Sequence, residues 1–176
     1  MGLNVGNTPV KAVYVGSTPV REVYVGAEKV WTARETVQIT LGTGYEASNQ
    51  FQAALADRGL DYTTVTEIPF EIELVGTGVM SSMFNSCSSL TSVPEMDTSN
   101  VISMSSMFYG CLSLTSVPDL DTSSVTNARN MFYGCSSLTD GNVRLIGKRT
   151  GVNTYGMITQ SGLTREPFYD TNGNPI

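Results

Sequence analysis

Three cysteines are the residues of this sequence most able to do chemistry, and they recur at a fixed interval. Cys87, Cys111 and Cys135 lie 24 residues apart. As zinc ligands they would lack a CxxC pair and a fourth ligand, and as disulfides an odd number leaves one thiol over. Free cysteine usually behaves as a small buried apolar side chain. The spacing therefore favours three equivalent structural thiols, and we expect no metal site.

A glycine-rich turn is the second candidate site. Gly42-Thr43-Gly44 lies between a predicted strand and a predicted helix, and Glu67 follows about twenty residues later, as in a loose dinucleotide fingerprint. A nucleotide-binding fold would need several further βαβ units, and internal repeats occupy that part of the chain. We therefore expect no bound cofactor.

Paired carboxylates are the third candidate. Glu71 and Glu73, or Asp119 and Asp121, could be imagined as glycosidase acids, which must face each other across a cleft. A spacing of two on a strand puts both on one side, and Asp121 repeats Asp97, so turn or cap roles explain these residues better. The sequence has no histidine, which excludes Ser-His-Asp and Cys-His catalysis. We assign no catalytic residue and expect no enzyme.

Composition indicates a globular protein. The 176 residues are 40% hydrophobic and 15% charged, with a net charge of -6. An acidic chain is a poor partner for nucleic acid, and no run of about 18 apolar residues suggests a membrane span. Residues 1–6 lack the basic and apolar regions of a signal peptide, so we do not expect the usual secretion route.

A 24-residue repeat organises the second half of the sequence. Met-Phe-Asn-Ser-Cys at 83–87 returns as Met-Phe-Tyr-Gly-Cys at 107–111 and 131–135. The apolar positions of one unit are spaced as on a helix: Val101, Met104, Met107, Phe108 and Cys111. Ser99 would cap that helix, Gly110 would stop it, and residues 114–117 would follow as a strand. Such units bury their apolar faces only by stacking, which predicts a solenoid.

Residues 104–125 resemble the BspA-like leucine-rich repeat of bacterial surface proteins and mycoplasma lipoproteins. The resemblance covers roughly residues 68–141, with a degenerate first copy at 68–82. Together with short strands expected at the N-terminus, these helix-strand units predict an α+β fold: an N-terminal tract of short β-strands, then a leucine-rich-repeat-type solenoid with a 24-residue period and caps. The predicted domains are a docking tract at 1–35, a cap at 36–79, the solenoid at 80–141 and a C-terminal cap or tail at 142–176.

A second repeat, of ten residues, fills the N-terminal tract. Residues 5–10, 15–20 and 25–31 all begin with Val-Gly, and the runs between them are β-branched and aromatic. These predict short strands joined by tight turns. Both faces are apolar and the tract is too small to cover them, so we expect it to dock on another chain or on copies of itself. The candidate docking residues are Val13, Tyr14, Val15, Val23, Tyr24, Val25 and Trp31.

The segment between the two repeats predicts a strand, a helix and two further strands. Residues 36–41 alternate as a half-buried strand. Ser48 would cap a helix over 49–58 that Gly59 ends. Residues 62–67 and 70–75 are predicted as strands.

Residues 3–31 resemble the Val-Tyr-Val-Gly…Lys-Val-Trp openings of minor tail proteins from phages of Gram-positive and actinobacterial hosts. The resemblance implies a virion protein of the tail tip, extracellular after lysis, with other tail proteins as partners and a host envelope glycan or protein as a further one. A homotrimer is the expected assembly. A bacterial surface adhesin and a wall or polysaccharide hydrolase are the rival functions.

Two tyrosines and two threonines form the candidate binding surface. Tyr109 and Tyr133 follow the core phenylalanine of successive units and lie off the apolar stripe, and Thr91 and Thr115 are also in register. In-register aromatics could bind carbohydrate or protein, and they could equally pack between neighbouring units. The sequence leaves both interpretations open.

Overall fold

The computed structural model describes residues 35–148 and 150–176 in full, and the backbone of the strands between residues 4 and 32. The chain divides into two compact units, Met1–Thr36 and Val37–Ile176. No helix among these described residues is long and apolar enough to cross a membrane.

The first unit is a series of antiparallel hairpins. Strands β1 (Asn4–Val5) and β2 (Thr8–Pro9) form the first, and β3 (Val13–Val15) and β4 (Thr18–Val20) the second. Strands β5 (Glu22–Val25) and β6 (Glu28–Thr32) form the third. In the sequence a Gly-X pair separates the two strands of each hairpin, a composition that suits two-residue turns. Short strands thus lie where the ten-residue repeat predicted them.

The second unit opens with a strand, the only helix of the described residues and a second strand. Strand β7 (Thr36–Thr40) pairs with β8 (Glu71–Val75), and helix α1 (Glu46–Ala56) lies between them in the chain. The strand predicted at 36–41 is confirmed, with Ile39 and Leu41 buried. The strand predicted at 70–75 is confirmed as well.

The predicted ends of the helix are half right. Helix α1 begins at Glu46, and Ser48 is a buried residue inside its first turn, where its hydroxyl donates to the Ser82 carbonyl at 3.1 Å. Ser48 is therefore not the N-cap. At the other end Gly59 has a φ of 70°, and the Leu60 N–H bonds to the Leu55 carbonyl, which is the glycine stop that the sequence predicted.

Residues 62–67 form turns, and the strand predicted there is wrong. The Asp61 carboxylate accepts the Thr63 N–H at 2.7 Å, and the Asp61 carbonyl accepts the Val65 N–H at 2.9 Å. These local bonds satisfy the backbone groups that a strand would have offered to a neighbour.

Small parallel strand pairs replace the predicted helix-strand units. Strand β9 (Gly78–Val79) pairs with β10 (Val101–Ser103). Strands β11 (Leu120–Asp121), β12 (Leu145–Ile146) and β13 (Phe168–Tyr169) form a three-stranded parallel sheet. Between these strands the chain runs through successive turns.

The fold-class prediction is therefore wrong. The described part of the chain is weakly β-rich with one helix, not α+β, and its repeats do not have the helix and strand of a leucine-rich-repeat solenoid. Residues 105–110 are turns, because Ser106 and Gly110 have φ values of 54° and 70° that no right-handed helix contains. Residues 114–117 form no strand.

Consecutive turns explain why the apolar residues are spaced as on a helix. The N–H groups of Met107, Cys111 and Leu114 bond to carbonyls three residues earlier. Each such turn brings the chain back to the same side after three residues, which imitates a helical period. The apolar positions that the sequence assigned to the interior, from Val101 to Cys111, are indeed buried.

Successive repeats lie side by side in register, and we name them copy 1 (residues 79–102), copy 2 (103–126), copy 3 (127–152) and copy 4 (153–164). In the turns that open each of the first three, four alternate backbone N–H groups donate to carbonyls of the next copy at 2.8–3.0 Å. Phe84, Phe108 and Phe132 stack inside with ring centroids 5.3 and 5.5 Å apart. Helix α1 covers the copy 1 end, where Phe51 meets Phe84 edge-on at 4.8 Å.

Candidate functional site

The two candidate tyrosines are brought together by the repeat. The stacked phenylalanines fix the spacing of copies 2 and 3, so the next residue in each copy falls into the same register on the outside. The rings of Tyr109 and Tyr133 are nearly parallel, at 5°, with centroids 4.9 Å apart. Tyr109 remains 36% exposed. The pair therefore packs between copies and still remains partly exposed to solvent.

The two candidate threonines form a separate row at a later position of each copy. The Thr91 hydroxyl donates to the Thr66 carbonyl at 3.0 Å, and the Thr115 hydroxyl donates to the Thr91 carbonyl at 3.1 Å. Both residues are exposed. Because each hydroxyl proton is engaged by the preceding backbone, these side chains can offer a ligand only their oxygen lone pairs.

Two further exposed apolar residues escaped the sequence analysis. Leu112 is 51% exposed and stands where copies 1 and 3 have Ser88 and Ser136, and this departure from the repeat could have marked it. Tyr155 is 71% exposed, with the Arg129 guanidinium 5.1 Å from its ring centre. Tyr155 belongs to copy 4, which the sequence does not reveal.

The three cysteines are free and buried, as their spacing predicted. The thiols of Cys111 and Cys135 donate to the carbonyls of Phe84 and Phe108 at 3.0 and 2.9 Å. Burial raises the pKa of the Cys87 and Cys135 thiols to about 12, and it raises the Cys111 pKa as well. They are therefore protonated at neutral pH, whereas metal binding and nucleophilic attack need the thiolate. Among the described residues no group of His, Cys, Asp and Glu could hold a metal ion.

The glycine-rich turn holds a carboxylate of its own chain. The Glu46 carboxylate accepts the Gly44 N–H at 2.7 Å, and a Cβ at Gly42 would clash with the same side chain. Backbone N–H groups of Glu46 and Gly44 lower the Glu46 pKa. The position that a phosphate would need is therefore occupied by Glu46, and the turn closes the start of α1.

The paired carboxylates perform structural tasks. The Asp121 carboxylate accepts both the N–H and the hydroxyl of Ser123, at 2.9 and 2.6 Å, and Asp97 binds Ser99 in the same way. The Asp119 carboxylate lies 3.0 Å from the Arg144 guanidinium. The turn role proposed for the repeated aspartates is confirmed.

The Glu71 and Glu73 pair lies on the exposed face of β8. Both residues are exposed on either side of buried Ile72. Glu73 accepts a hydrogen bond from the Gln38 amide at 3.0 Å. The two carboxylates therefore project from one face of a strand, as their spacing predicted.

The candidate docking residues lie on the hairpins of the first unit. Val13, Tyr14 and Val15 make up β3, and Val23, Tyr24 and Val25 lie in β5, with Val23 opposite Trp31 of β6. Their side chains lie outside the described part of the structure.

Comparison with known proteins gives a family and no established activity. Residues 71–161, half of the chain, match DUF285, described as a Mycoplasma protein of unknown function. No curated protein and no solved structure matched the chain. The matched region contains copies 1 to 3 and nearly all of copy 4, so the feature that places the protein is the repeat. The chain belongs to the DUF285 family.

Proposed function

We propose that this protein is a non-enzymatic component of a phage tail tip, in which residues 1–35 dock on other tail proteins and the repeats take part in recognising the host surface. The observation that carries the proposal is the presence of two repeats in one chain. The N-terminal tract resembles the openings of minor tail proteins, and the 24-residue repeat resembles BspA-like repeats, which tail proteins of such phages also carry.

The recognition surface in this proposal is the outer side of copies 2 and 3. Tyr109 and Leu112 are exposed there, and half-buried Tyr133 stacks on Tyr109. Because the tyrosine faces shield each other at 4.9 Å, a sugar ring has no room between them. A host glycan or protein would instead meet the ring edges and hydroxyls, which donate and accept hydrogen bonds.

A bacterial surface adhesin is the competing function, and the Mycoplasma description of the family favours it. A tail protein would be part of the phage particle, whereas an adhesin would be attached to the bacterial envelope. Mass spectrometry of density-purified phage particles and of the envelope of uninfected cells from the same culture separates them. We expect the protein in the particles. Its presence in the envelope and absence from the particles would overturn the phage proposal.

Recognition is tested with the purified protein on host cells. We expect Tyr109→Phe and Tyr133→Phe to weaken cell binding several-fold without a change in melting temperature, because only the hydroxyls are lost. Tyr45→Phe, on an exposed tyrosine outside copies 2 and 3, is the matched control. Full binding by both phenylalanine variants would assign the pair to packing alone. Release of reducing sugars or peptides from host walls would point to an enzyme.

A further inference from the structure

A row of backbone N–H groups joins each copy to the next. In copy 3 these groups belong to alternate residues, and each meets a carbonyl oxygen of the following copy at 2.8–3.0 Å. The donors are Ala128, Asn130, Phe132 and Gly134, and the acceptors are Asn153, Tyr155, Met157 and Thr159. The same arrangement joins copy 1 to copy 2 and copy 2 to copy 3.

Copy 4 repeats the row of donors without a following copy. The equivalent N–H groups belong to Thr154, Gly156, Ile158 and Gln160, and within residues 35–148 and 150–176 none has an acceptor. Gly156 and Gln160 have φ values of 67° and 56°, matching the left-handed positions of the earlier copies. The edge therefore already has the shape that receives a further copy.

At three of the four residues this edge offers a free backbone donor and no free backbone acceptor. The carbonyls of Thr154, Gly156 and Ile158 are turned into their own turns, where they accept the N–H groups three residues later. Two such edges would meet with N–H groups opposite N–H groups, so a second molecule is a poor edge-to-edge partner for it. The complementary row of carbonyls belongs to copy 1, and α1 packs on that copy, since the Ser48 hydroxyl donates to the Ser82 carbonyl and Phe51 packs on Phe84. The helix therefore competes with a second molecule for that end of the array.

The last residues cover a neighbouring edge, whereas none of residues 35–148 and 150–176 bonds to the N–H groups of this one. Strand β13 is closed by the last residues of the chain, since the Ile176 N–H bonds to the Phe168 carbonyl at 3.1 Å and Pro175 bridges to Tyr169. At the copy 4 edge the phenylalanine position is taken by Ile158, which is only partly buried, and Tyr155 of the same copy is 71% exposed. Unpaired donors next to apolar groups are the features by which an edge recruits another chain.

We propose that the copy 4 edge is a docking site for a partner polypeptide bearing the same 24-residue repeat, whose first copy sits as a fifth copy. The partner would place alternate carbonyls on the four N–H groups and an aromatic or aliphatic side chain on Ile158. We infer that the partner bears the same repeat because all three junctions between copies of this chain use this row of N–H to carbonyl bonds. The site is independent of the phage assignment.

A fused fifth copy tests the site in the full-length protein. The sequence of residues 103–126 is attached to the C terminus through a flexible linker of about twenty Gly and Ser residues, which spans roughly 25 Å. We expect amide hydrogen exchange at Thr154, Gly156, Ile158 and Gln160 to slow at least about tenfold relative to the unfused chain. Unchanged exchange, or slow exchange already in the unfused chain, would overturn the proposal.

Two controls make the result specific. A fused segment of the same composition in scrambled order should give no protection, and protection by it would overturn the requirement for a repeat. Ile158→Asp in the fusion should abolish the added protection, because it puts a charge at the apolar contact. Slow exchange at Asn130, Phe132 and Gly134 then reports that copy 4 still sits on copy 3. Slow amide exchange that persists in the Ile158→Asp fusion would contradict the proposed contact between the added copy and Ile158.

Discussion

Cys111 and Cys135 each use the thiol as a hydrogen-bond donor to a phenylalanine carbonyl one copy earlier. The thiol is small enough to lie between two phenylalanine-bearing turns and polar enough to satisfy the carbonyl. Deprotonation would remove that donor and leave a charge among apolar side chains, which is why burial raises the thiol pKa.

The stability of the protein should fall at alkaline pH because of these thiols. Their pKa rises from 9.0 to about 12 for Cys87 and Cys135, so the unfolded chain loses these protons first. Stability is fully present below pH 9 and declines as pH rises toward 12, by about 1.4 kcal/mol per pH unit for each thiol. Urea unfolding between pH 8 and about 11 measures the slope.

A cysteine variant separates this effect from other groups that titrate in the same range. We expect Cys111→Ala to be less stable at pH 8 and to lose about 1.4 kcal/mol per pH unit less than the wild type above pH 9. An identical slope in the two proteins would show that Cys111 does not contribute.

The sequence predicted that Tyr109 and Tyr133 occupy equivalent positions of neighbouring copies. It did not predict that Leu112 is exposed near them in the chain. A repeat places Tyr109 beside Tyr133 as soon as the copies are aligned, and the stack follows. The balance between packing and exposure depends on ring orientation, which no spacing encodes. In the sequence Leu112 differs from Ser88 and Ser136 at the equivalent positions. Only the structure shows that this leucine is exposed and could contact a partner.

The turns of the repeat depend on residues in the left-handed region at two positions of each copy. One position is Ser82, Ser106, Asn130 and Gly156, and the other is Ser86, Gly110, Gly134 and Gln160. Left-handed backbone is strained for a residue with a Cβ and free of strain for glycine. The repeat therefore holds strain wherever serine occupies such a position.

Exchanging the two residue types in copy 2 should change stability in opposite directions. Ser106→Gly should stabilise the protein by about 1 kcal/mol or less, since it relieves a φ of 54° at some cost in unfolded-state entropy. Gly110→Ala should destabilise it by about 1–2 kcal/mol, although a Cβ there meets only ordinary contacts at 3.9 Å. Urea midpoints measure both changes, and a shift of the same sign in both would refute the strain argument.

Helix α1 acts as the cover of the first copy. Phe51 is fully buried between Phe70 and Phe84. We expect Phe51→Ala to cost about 3–5 kcal/mol of unfolding free energy. Asn49→Ala, on an exposed position of the same helix, is the control and should change it little. A small effect of Phe51→Ala would mean that α1 does not stabilise the repeats.

The element scale is where sequence reasoning failed. Strands β7 and β8 were predictable because strict alternation of apolar and polar residues is typical of a half-buried strand. The helix predicted for the repeat was wrong, since three-residue turns place Met104, Met107 and Cys111 on one side as a helix does. The signals against a helix were Ser106 and Gly110, whose left-handed backbone a single sequence does not show. The fourth copy was hidden because its phenylalanine and cysteine positions hold Ile158 and Ser161.

The whole molecule consists of two compact units, and each has its own internal contacts. The buried core lies in Val37–Ile176, whose described residues pack as a single cluster from Ile39 to Phe168. The hairpins of residues 4–32 are two-stranded, and isolated two-stranded hairpins are marginally stable in water. A partner for that tract is therefore part of the proposed function.

Removal of residues 1–35 should change assembly and leave the second unit folded. We expect the full chain to be an oligomer in light-scattering mass measurements and the shortened chain to be a monomer with nearly the same melting temperature. Trp31→Ala in the full chain should weaken the oligomer if the tract docks on itself. A monomer in both forms would rule out self-docking and leave docking on a different chain as the role proposed for the tract.

The uniform junction between copies has an evolutionary consequence. A deletion of residues 103–126 would join Ile102 to Asn127 and bring together a donor row and an acceptor row that already fit, and a duplication would do the same. The array can therefore gain or lose one copy without a change in the residues of the two copies on either side. Each step would move the two ends of the array by roughly 4.8 Å, the ordinary distance between paired strands. Gain or loss of one copy would thus change the length of the array by a fixed increment.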